Sequence, residues 1–468
     1  MKKSLLLGLT AILSAGSAFA GMDPATYEVI DGLQIKNRWL KSQYLNPTEF
    51  QAEPFMCAPN YARTATIAQY DGKDVVIVAG SKILDAEGTV LDHGMLYIYD
   101  LADGKLIKSV EPTLEGKPFE QLLCCNQIGT DDFGHVWFAS YVASLYSAAT
   151  ETADAKQNHV TVYTVDLATG ESTAQLDLTL PDSEASATGR IDYYDLVGDI
   201  TRAEAQCVVL ALPSGSDKPY VYGWLYEQGA DEYIGFFDEY VSMDAITDTY
   251  PAEQTNWGTA PVIRIVRDEE FSASQFYIDG FVTCPSLYDT SGTMLDSFAN
   301  NVDMGPKVGT NGVGEFTLDG APYLVYSLNQ YVSPEYCMIR IAKLPEDYAF
   351  SGMTALWDVP TGGLGETSDG GSRMHNVFAK PYTDENGVEG AYILTFKAAN
   401  GIGVYTVAPE NWVDPNGEAG INDIVADGDS SAALEYFNLN GVKVGADNLT
   451  PGLYITRQGS KVAKQVVK

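Results

Sequence analysis

Two stretches with the pattern Asp-Leu-Ala-x-Gly, DLADGK at residues 100–105 and DLATGE at residues 166–171, anchor the interpretation of this chain. An apolar run precedes each stretch, Met95–Tyr99 in the first case and Val160–Val165 in the second, and a second run follows it. Aspartate and glycine favour tight turns, so each stretch predicts the turn of a β-hairpin. The unit recurs after 66 residues, which is typical of propeller blades with long loops.

Further strand-like runs extend this pattern along the chain, and no long amphipathic helix pattern interrupts them. The clearest are Val75–Ala79, Cys207–Leu212, Tyr220–Tyr226, Tyr323–Leu328 and Tyr392–Phe396. The segment Phe281–Phe298 also predicts a hairpin, but the sequence does not assign it to a blade. We therefore predict an all-β fold, a β-propeller of five to seven blades, with six as the preferred number. Two β-sandwiches are the alternative, but the same order of strands and turn occurs twice in register.

Residues 1–20 have the features of a removable export signal. Lys2 and Lys3 precede the apolar run Leu5–Leu13, and Ala18-Phe19-Ala20 is a small-x-small cleavage site. No second apolar run is long enough to span a bilayer. We predict a propeller over 21–410, a linker over 411–433 and a small β tail over 434–468. The six cysteines lie mostly in apolar runs, which favours buried free thiols.

The tail carries a recognisable ending, YFNLNGVKV followed by LTPGLYITRQGSKVAKQVVK. Its Tyr-x-Leu-x-Gly hairpin, Pro-Gly-x-Tyr strand and Lys-Val-Val end resemble the type A sorting tails of the Bacteroidetes type IX secretion system. That resemblance implies delivery to the cell surface. Met22–Pro409 resembles, more loosely, the uncharacterised secreted β-propeller proteins of gut Bacteroidetes, a resemblance that transfers no catalytic residues.

Composition excludes several classes of function. The chain has 63 acidic and 28 basic residues and a net charge of −35. Such a chain repels nucleic acid and anionic membrane surfaces. The sequence has no nucleophile elbow, zinc motif, Walker loop or dinucleotide fingerprint, so neither a cofactor nor a metal is predicted. His135 lies in a strand and is interpreted as a core residue.

Asparagine recurs where the chain enters the predicted innermost strands, together with arginine and histidine. In a propeller these positions surround one mouth of the central channel, and their amides and guanidinium groups can bind polar ligands. The candidates are Asn60, Arg63, Asn126, Asn311, Arg373, His375 and Asn376. The alternative is turn chemistry, because asparagine tolerates left-handed backbone.

Two aromatic segments are further candidates for a binding surface. Tyr220, Tyr222 and Trp224 share one face of a strand, as a platform for sugar rings or as packing between blades. The stretch Glu227–Glu253 combines eight acids with several aromatic residues and no lysine or arginine. It is either a binding insertion or a solvated loop.

These features favour a secreted or cell-surface, non-catalytic binding protein for glycans or another envelope ligand. A propeller hydrolase or lyase acting on polysaccharide is the alternative, because catalytic groups drawn from several blades leave no linear motif. A scaffold that binds other proteins is the third hypothesis. The oligomeric state does not follow from the sequence.

Overall fold

In the computed structural model the chain is built from small, mainly antiparallel sheets. The structure describes residues 27–45, 47–51, 53, 64–80, 83–84, 89–92, 94–119, 127–139, 159–179, 190–214, 220–235, 241–242, 261–280, 285–298, 312–328, 337–365, 375–397, 400–413, 434–438, 443–445, 449, 452–458 and 461–467. Within these ranges the helical segments described are α1 (Pro47–Gln51) and a 3₁₀ turn at Phe350–Gly352, and neither is long and apolar enough to cross a membrane.

Each blade is a sheet in which consecutive strands pair as hairpins. After β1 (Leu33–Ser42), blade 1 contains β2 (Thr64–Tyr70), β3 (Lys73–Ala79), β6 (Leu96–Asp100) and β7 (Leu106–Val110), with β4 (Ile83–Leu84) and β5 (Val90–Asp92) as a small inserted hairpin. Blade 2 contains β10 (Gln127–Thr130), β11 (Val136–Ala139), β12 (His159–Val165) and β13 (Glu171–Thr179), extended by β8 (Thr113–Leu114) and β9 (Lys117–Pro118). Blade 3 contains β14 (Arg190–Gly198), β15 (Cys207–Ser214), β16 (Tyr220–Tyr226) and β17 (Val241–Ser242).

The second half of the ring repeats this order. Blade 4 contains β18 (Val262–Ile265), β19 (Gln275–Asp279), β20 (Ser286–Asp289) and β21 (Met294–Ser297). Blade 5 contains β22 (Val313–Leu318), β23 (Ala321–Ser327), β24 (Ile339–Lys343) and β25 (Thr354–Val359). Blade 6 contains β26 (His375–Thr383), β27 (Glu389–Lys397) and β28 (Gly401–Pro409), and β1 is its fourth strand. The predicted propeller is confirmed, and its six blades are five four-stranded sheets and the six-stranded sheet of blade 2.

The N-terminal strand closes the ring. β1 pairs antiparallel with β28, from Leu33 opposite Pro409 to Ser42 opposite Gly401. Hydrophobic clusters then fill every gap between neighbouring blades, including the gap between blade 6 and blade 1. A strand that is apolar on both faces, such as β3, is buried in this way because a blade packs against neighbours on two sides.

The six innermost strands run in the same direction around the axis. On blades 1 and 2, for example, Ile128 N donates to Thr64 Oγ1 at 3.3 Å and Thr130 Oγ1 donates to the Ile67 carbonyl at 2.9 Å. All inner strands therefore begin at one end of the propeller, called the entry end here. The turns after the first and third strands of each blade lie at the opposite end, called the hairpin end.

The chain divides into two compact units, Met1–Glu410 and Asn411–Lys468. The second unit contains one small sheet with the order β30-β29-β31-β32. Its strands are β29 (Leu434–Phe437), β30 (Lys443–Val444), β31 (Gly452–Gln458) and β32 (Lys461–Val467). Glu435 pairs with Lys443 and with Arg457, at 2.7 Å from the latter, so this sheet carries its own charge pairing.

Two of the six cysteines, Cys207 and Cys337, lie in the described ranges, and both are buried. Burial raises the pKa of the Cys207 thiol far above its ordinary value, so this thiol is protonated. The other four cysteines and the predicted export signal lie outside the described residues.

Candidate functional site

A buried arginine connects four blades at the propeller axis. Arg264 of blade 4 donates to Asp195 Oδ1 at 3.0 Å and to Tyr193 OH at 2.6 Å on blade 3. It also donates to the carbonyls of Val313 on blade 5 and Val377 on blade 6, both at 3.2 Å. Burial alone lowers the pKa of Arg264, but Tyr193 and Asp195 outweigh it and raise the pKa. The guanidinium group is therefore a charged cross-link between inner strands.

Two predicted site residues lie close to this cross-link, at the entry end of blade 6. Asn376 is buried; its Nδ2 donates to Tyr193 OH at 3.4 Å, and its Oδ1 accepts from Ala65 N at 3.4 Å. The ring nitrogens of His375 lie 2.8 Å from Ser327 Oγ and 2.6 Å from Thr395 Oγ1. Burial, aided by the charge of Lys397, lowers the pKa of His375, so the ring is neutral. Both side chains bind protein partners.

Five other predicted residues at the entry end lie outside the described part of the chain: Asn60, Arg63, Asn126, Asn311 and Arg373. The predicted aromatic stripe lies in β16, which runs from Tyr220 to Tyr226. The rings of Tyr222 and Trp224 are stacked with their centroids 5.9 Å apart, and both are buried in the cluster between blades 2 and 3. Tyr222 and Trp224 therefore pack between blades and do not form an exposed platform.

A groove of about 710 Å³ lies at the hairpin end between blades 2 and 3. It is called the Tyr233 groove here and is lined by Ala174, Gln175, Leu176, Tyr226 and residues 231–235. Tyr233 is 44% exposed, and Ile234 beside it is 56% exposed. Asp231 and Glu232 are exposed in the same segment. The start of the acidic, aromatic stretch identified in the sequence therefore forms one wall of a concave surface.

Contacts across the boundary between blades hold this groove in shape. Arg202, on the hairpin after β14, donates to the Gln175 carbonyl at 3.1 Å, and its guanidinium carbon lies 5.4 Å from the centroid of the Tyr226 ring. The Tyr233 ring meets the Tyr226 ring edge-on, with centroids 6.0 Å apart. Ile234 N donates to the Leu225 carbonyl at 2.9 Å. The groove is preformed, which lowers the entropic cost of binding a ligand.

A second pocket of about 740 Å³ lies between blades 1 and 2, also at the hairpin end. It is called the His135 pocket here. Its lining includes Tyr70 and Asp71 from blade 1 and His135, Asp166 and Glu171 from blade 2. The His135 side chain is 40% exposed, so the interpretation of this residue as core was wrong. Aspartate four positions before histidine, in the turn after an inner strand, was the available sequence signal.

Buried aspartates from two blades hold the His135 ring. Asp131 Oδ2 lies 2.9 Å from His135 Nδ1, and Asp199 Oδ1 lies 3.4 Å from the same atom. Asp131 also accepts backbone N–H groups of Phe133, His135 and Ile200, so its carboxylate is an acceptor and Nδ1 carries the proton.

The same three side chains are the candidate metal ligands within the described residues, because their ligand atoms lie within 4.8 Å of one another. Asp199 accepts Thr201 N, Thr201 Oγ1 and Glu204 N. Burial raises its pKa, but these hydrogen bonds and His135 outweigh burial and lower it. Both carboxylates are thus satisfied as caps of the hairpin turns, and the arrangement is explained without an ion.

No protein-family model and no curated protein matches the sequence. Among solved structures, the chain is similar to a DUF4623 family protein from Bacteroides eggerthii, with 12% identity, a TM-score of 0.49 and coverage of 82% of this chain and 77% of that chain. It is also similar to a Trypanosoma rangeli sialidase (9% identity, TM-score 0.35, 75% of this chain and 55% of that chain). A third is the WD40 domain of Toxoplasma gondii coronin (9% identity, TM-score 0.37, 83% and 89%). Likenesses this distant carry no functional conclusion, and the propeller assignment rests on the order of the strands.

Proposed function

We propose that this propeller is a secreted or cell-surface binding protein without catalytic activity and that the Tyr233 groove binds a glycan. The observation that carries the proposal is the half-exposed Tyr233 ring beside two exposed carboxylates in a preformed groove. Aromatic faces pack against the apolar faces of sugar rings, and carboxylates accept hydrogen bonds from sugar hydroxyl groups.

The negative charge of the groove and of the whole chain limits which glycans can bind. Asp231 and Glu232 lie in the groove, and the whole chain has a net charge of −35. Arg202 keeps its positive charge while it donates to two backbone carbonyls, but one guanidinium against the two carboxylates leaves the groove negative. A sulfated, sialylated or uronic glycan would be repelled. We therefore propose neutral or amino sugars as the ligands.

A glycan-array screen of the full chain tests this proposal, with Tyr233→Ala as the variant and Tyr44→Ala as its matched control. Tyr44 is 59% exposed and does not line the groove. Loss of the Tyr233 ring should weaken binding of any neutral hit at least tenfold, because burial of one such ring contributes about 1.5–3 kcal/mol. Equal binding by the two variants, or hits confined to anionic glycans, would refute the proposal.

A turnover assay on each hit separates binding from catalysis. If the glycan is unchanged after incubation, the result supports a binding protein. If the glycan is cleaved, the protein is instead a hydrolase or lyase, which was the alternative hypothesis. The seven residues predicted for the entry end remain a proposal for a second contact with the ligand. They are Asn60, Arg63, Asn126, Asn311, Arg373, His375 and Asn376. Substituting His375 there would disturb hydrogen bonds in the interior, so Arg63→Ala is the better probe.

We also propose that the export signal and the tail deliver the protein to the periplasm or outer surface. The support is the sequence resemblance of the tail together with its own compact, charge-paired sheet. Deleting residues 434–468 should leave the melting temperature of the propeller unchanged and alter only where the protein resides in cell fractions. A fall of about ten degrees would instead show that the tail stabilises the propeller.

A further inference from the structure

An ion pair that joins two non-adjacent blades lies at the hairpin end of the propeller axis. Arg267, just after β18 of blade 4, donates through Nη1 to both carboxylate oxygens of Asp132 on blade 2, at 2.9 Å and 3.1 Å. Its Nη2 donates to the Leu196 carbonyl of blade 3 at 3.4 Å. Blade 3 separates the other two, so blades 2 and 4 meet directly only near the axis. These three residues are called the Arg267 bridge here.

A second carboxyl group holds the same arginine from blade 5. Glu315 Oε1 accepts the backbone N–H of Arg267 at 2.7 Å. Glu315 lies two residues after Val313 on β22 and faces blade 4 with it, in the gap between the two blades. It is partly buried, and among the described residues no ion pair joins it to a basic side chain. Arg267 thus lies between two carboxyl groups, of which Asp132 alone binds its guanidinium group.

The surroundings of Glu315 favour its neutral form. Removal from water raises the pKa of Glu315 to about 7, and the charge of Asp195 on blade 3 adds to this rise. The backbone N–H and charge of Arg267, with the charge of Arg264, oppose the rise without cancelling it. Glu315 therefore gains or loses its charge close to neutral pH, where an ordinary glutamate is fully ionised.

Two tyrosines complete the environment of Glu315, and neither is a counter-ion. Tyr277 on β19 is buried, and Tyr348 follows β24. Burial and the charge of Glu315 raise the pKa of both hydroxyl groups, so both stay neutral while Glu315 titrates. The cations that act on Glu315 are Arg264 and Arg267, and Asp195 already binds the first. Arg267 is the cation left to respond to a change of charge on Glu315.

We propose that Glu315 is a pH-sensitive switch that controls the Arg267 bridge. While Glu315 is neutral, the guanidinium group pairs with Asp132 alone and ties blade 4 to blade 2. Once Glu315 is ionised, it competes with Asp132 for the same guanidinium group, and the bridge loosens. The rings of Phe133 and Phe271, with centroids 5.9 Å apart, span the same two blades, so this end of the axis is held more tightly in acid. The switch is separate from the Tyr233 groove and goes beyond the proposed glycan binding.

Urea denaturation of the full chain at pH 5.5 and 8.5 tests whether Glu315 titrates in this range. The folded state holds the proton of Glu315 more tightly than the unfolded state does. The stability that this proton contributes is therefore complete below about pH 4.5 and is lost as the pH rises through about 7. Between the two pH values the unfolding constant of the unaltered chain should rise at least about tenfold more than that of Glu315→Gln. Glutamine keeps an oxygen that accepts the Arg267 N–H.

Glu389→Gln is the matched control. Glu389 Oε2 likewise accepts a backbone N–H from the neighbouring blade, that of Asp319 at 2.9 Å, but Glu389 is exposed. This variant should keep the full pH dependence of the unaltered chain. If Glu315→Gln also keeps it, the proposal is overturned.

An NMR titration of the arginine side chain distinguishes a switch from a carboxyl group that titrates without consequence. The Nε–H resonance of Arg267, assigned by its absence from Arg267→Lys, should move with a midpoint near pH 7 in the unaltered chain. In Glu315→Gln it should stay fixed over the same range. A resonance that stays fixed in the unaltered chain, or that moves equally in Glu315→Gln, would show that Glu315 does not act on the Arg267 bridge and would overturn the proposal.

Discussion

The hairpin turns DLADGK (100–105) and DLATGE (166–171) have the same local structure and different surroundings. In each, the backbone N–H of the aspartate donates to the carbonyl of the sixth residue, at 2.9 Å and 3.0 Å respectively. In each, the glycine has positive φ, 68° and 85°, and the leucine is buried. The first turn packs against the strand that closes the ring, because Trp39 Nε1 donates to the Leu101 carbonyl at 2.9 Å. The second packs against the chain leaving blade 1 and borders the His135 pocket.

The two turns share the hydrogen bonds within the turn and differ in their contacts with neighbouring parts of the ring. The pattern Asp-Leu-Ala-x-Gly specifies a turn wherever it occurs, since its hydrogen bonds lie within six residues. Whether the turn becomes part of a pocket depends on the neighbouring blade, which the turn itself does not encode. Matched single substitutions, one in each turn, can measure how much the turn itself and the neighbouring blade each contribute to stability.

The largest difference in stability between matched variants of the two turns is expected at the glycines. A Cβ at Gly170 would lie 2.2 Å from the Glu111 carbonyl oxygen, whereas a Cβ at Gly104 would lie 2.5 Å from a side-chain atom of Trp39. Backbone cannot tilt away as a ring can, and both positions need positive φ. Gly170→Ala should lower the free energy of unfolding by about 4 kcal/mol and Gly104→Ala by about 2 kcal/mol. Urea denaturation measures both, and the reverse order would contradict the comparison.

The buried leucines should behave alike. Leu101 is 3% exposed between blades 6 and 1, and Leu167 is 6% exposed between blades 1 and 2. Leu101→Ala and Leu167→Ala should each cost about 3 kcal/mol of stability. Leu106→Ala, at a site 46% exposed, is the control and should cost under about 1 kcal/mol. A large inequality between the two turns would mean that their cores are not equivalent.

Removing the hydrogen bond at the ring closure should affect one turn only. Trp39→Phe leaves the buried Leu101 carbonyl without its indole donor, which should cost about 1–2 kcal/mol of stability. Hydrogen exchange should then quicken at Gly104, whose N–H bonds to the Asp100 carbonyl, and stay unchanged at Gly170. Equal quickening at both glycines would show that the turns are coupled through the blade.

The smallest expected effect depends on pH. Asp103 pairs with Lys105, and the second turn has Thr169 and Glu171 in these places. Partial burial raises the pKa of Asp103, but hydrogen bonds and charge from Lys105 outweigh it, so the pKa lies below the ordinary value. The pair therefore stabilises the fold above about pH 4 and loses its effect as the pH falls through the lowered pKa. Asp103→Asn should cost under about 0.5 kcal/mol at pH 7 and nothing near pH 2. A loss that persists at pH 2 would exclude the ion pair as its cause.

The fold was predictable where partners are near in sequence. The hairpins around both turns were predicted, although the bounds of their first strands differ by one residue from those of β6 and β12. Strand β16 at Tyr220–Tyr226 was predicted with its observed bounds. The predicted hairpin at Phe281–Phe298, which had no blade, provides the two outer strands of blade 4. Strand β1 was not recognised, because its partner β28 is more than 350 residues away and its role depends on closure of the ring.

The pockets were less predictable than the strands. The acidic stretch beginning at Glu227 was identified, and its residues 231–235 line the Tyr233 groove. The facing wall comes from blade 2, and no sequence spacing links the two. His135 was misinterpreted because position in a strand predicts burial. Its exposure results from its place in the pocket at the hairpin end of blades 1 and 2, which only the assembled ring defines.

Closure of the ring by the first strand constrains how the chain is made. Gln34 donates to the Glu410 carbonyl across 376 residues, so β1 leaves the ribosome long before its partner exists. At ordinary rates of synthesis the delay is roughly 20–75 s. Throughout it, Leu33–Ser42 is an unpaired strand that includes Trp39 and Leu40, a template for pairing with another nascent chain. Slower elongation would lengthen this exposure, so yield on overexpression should depend on the rate of translation more than on final stability.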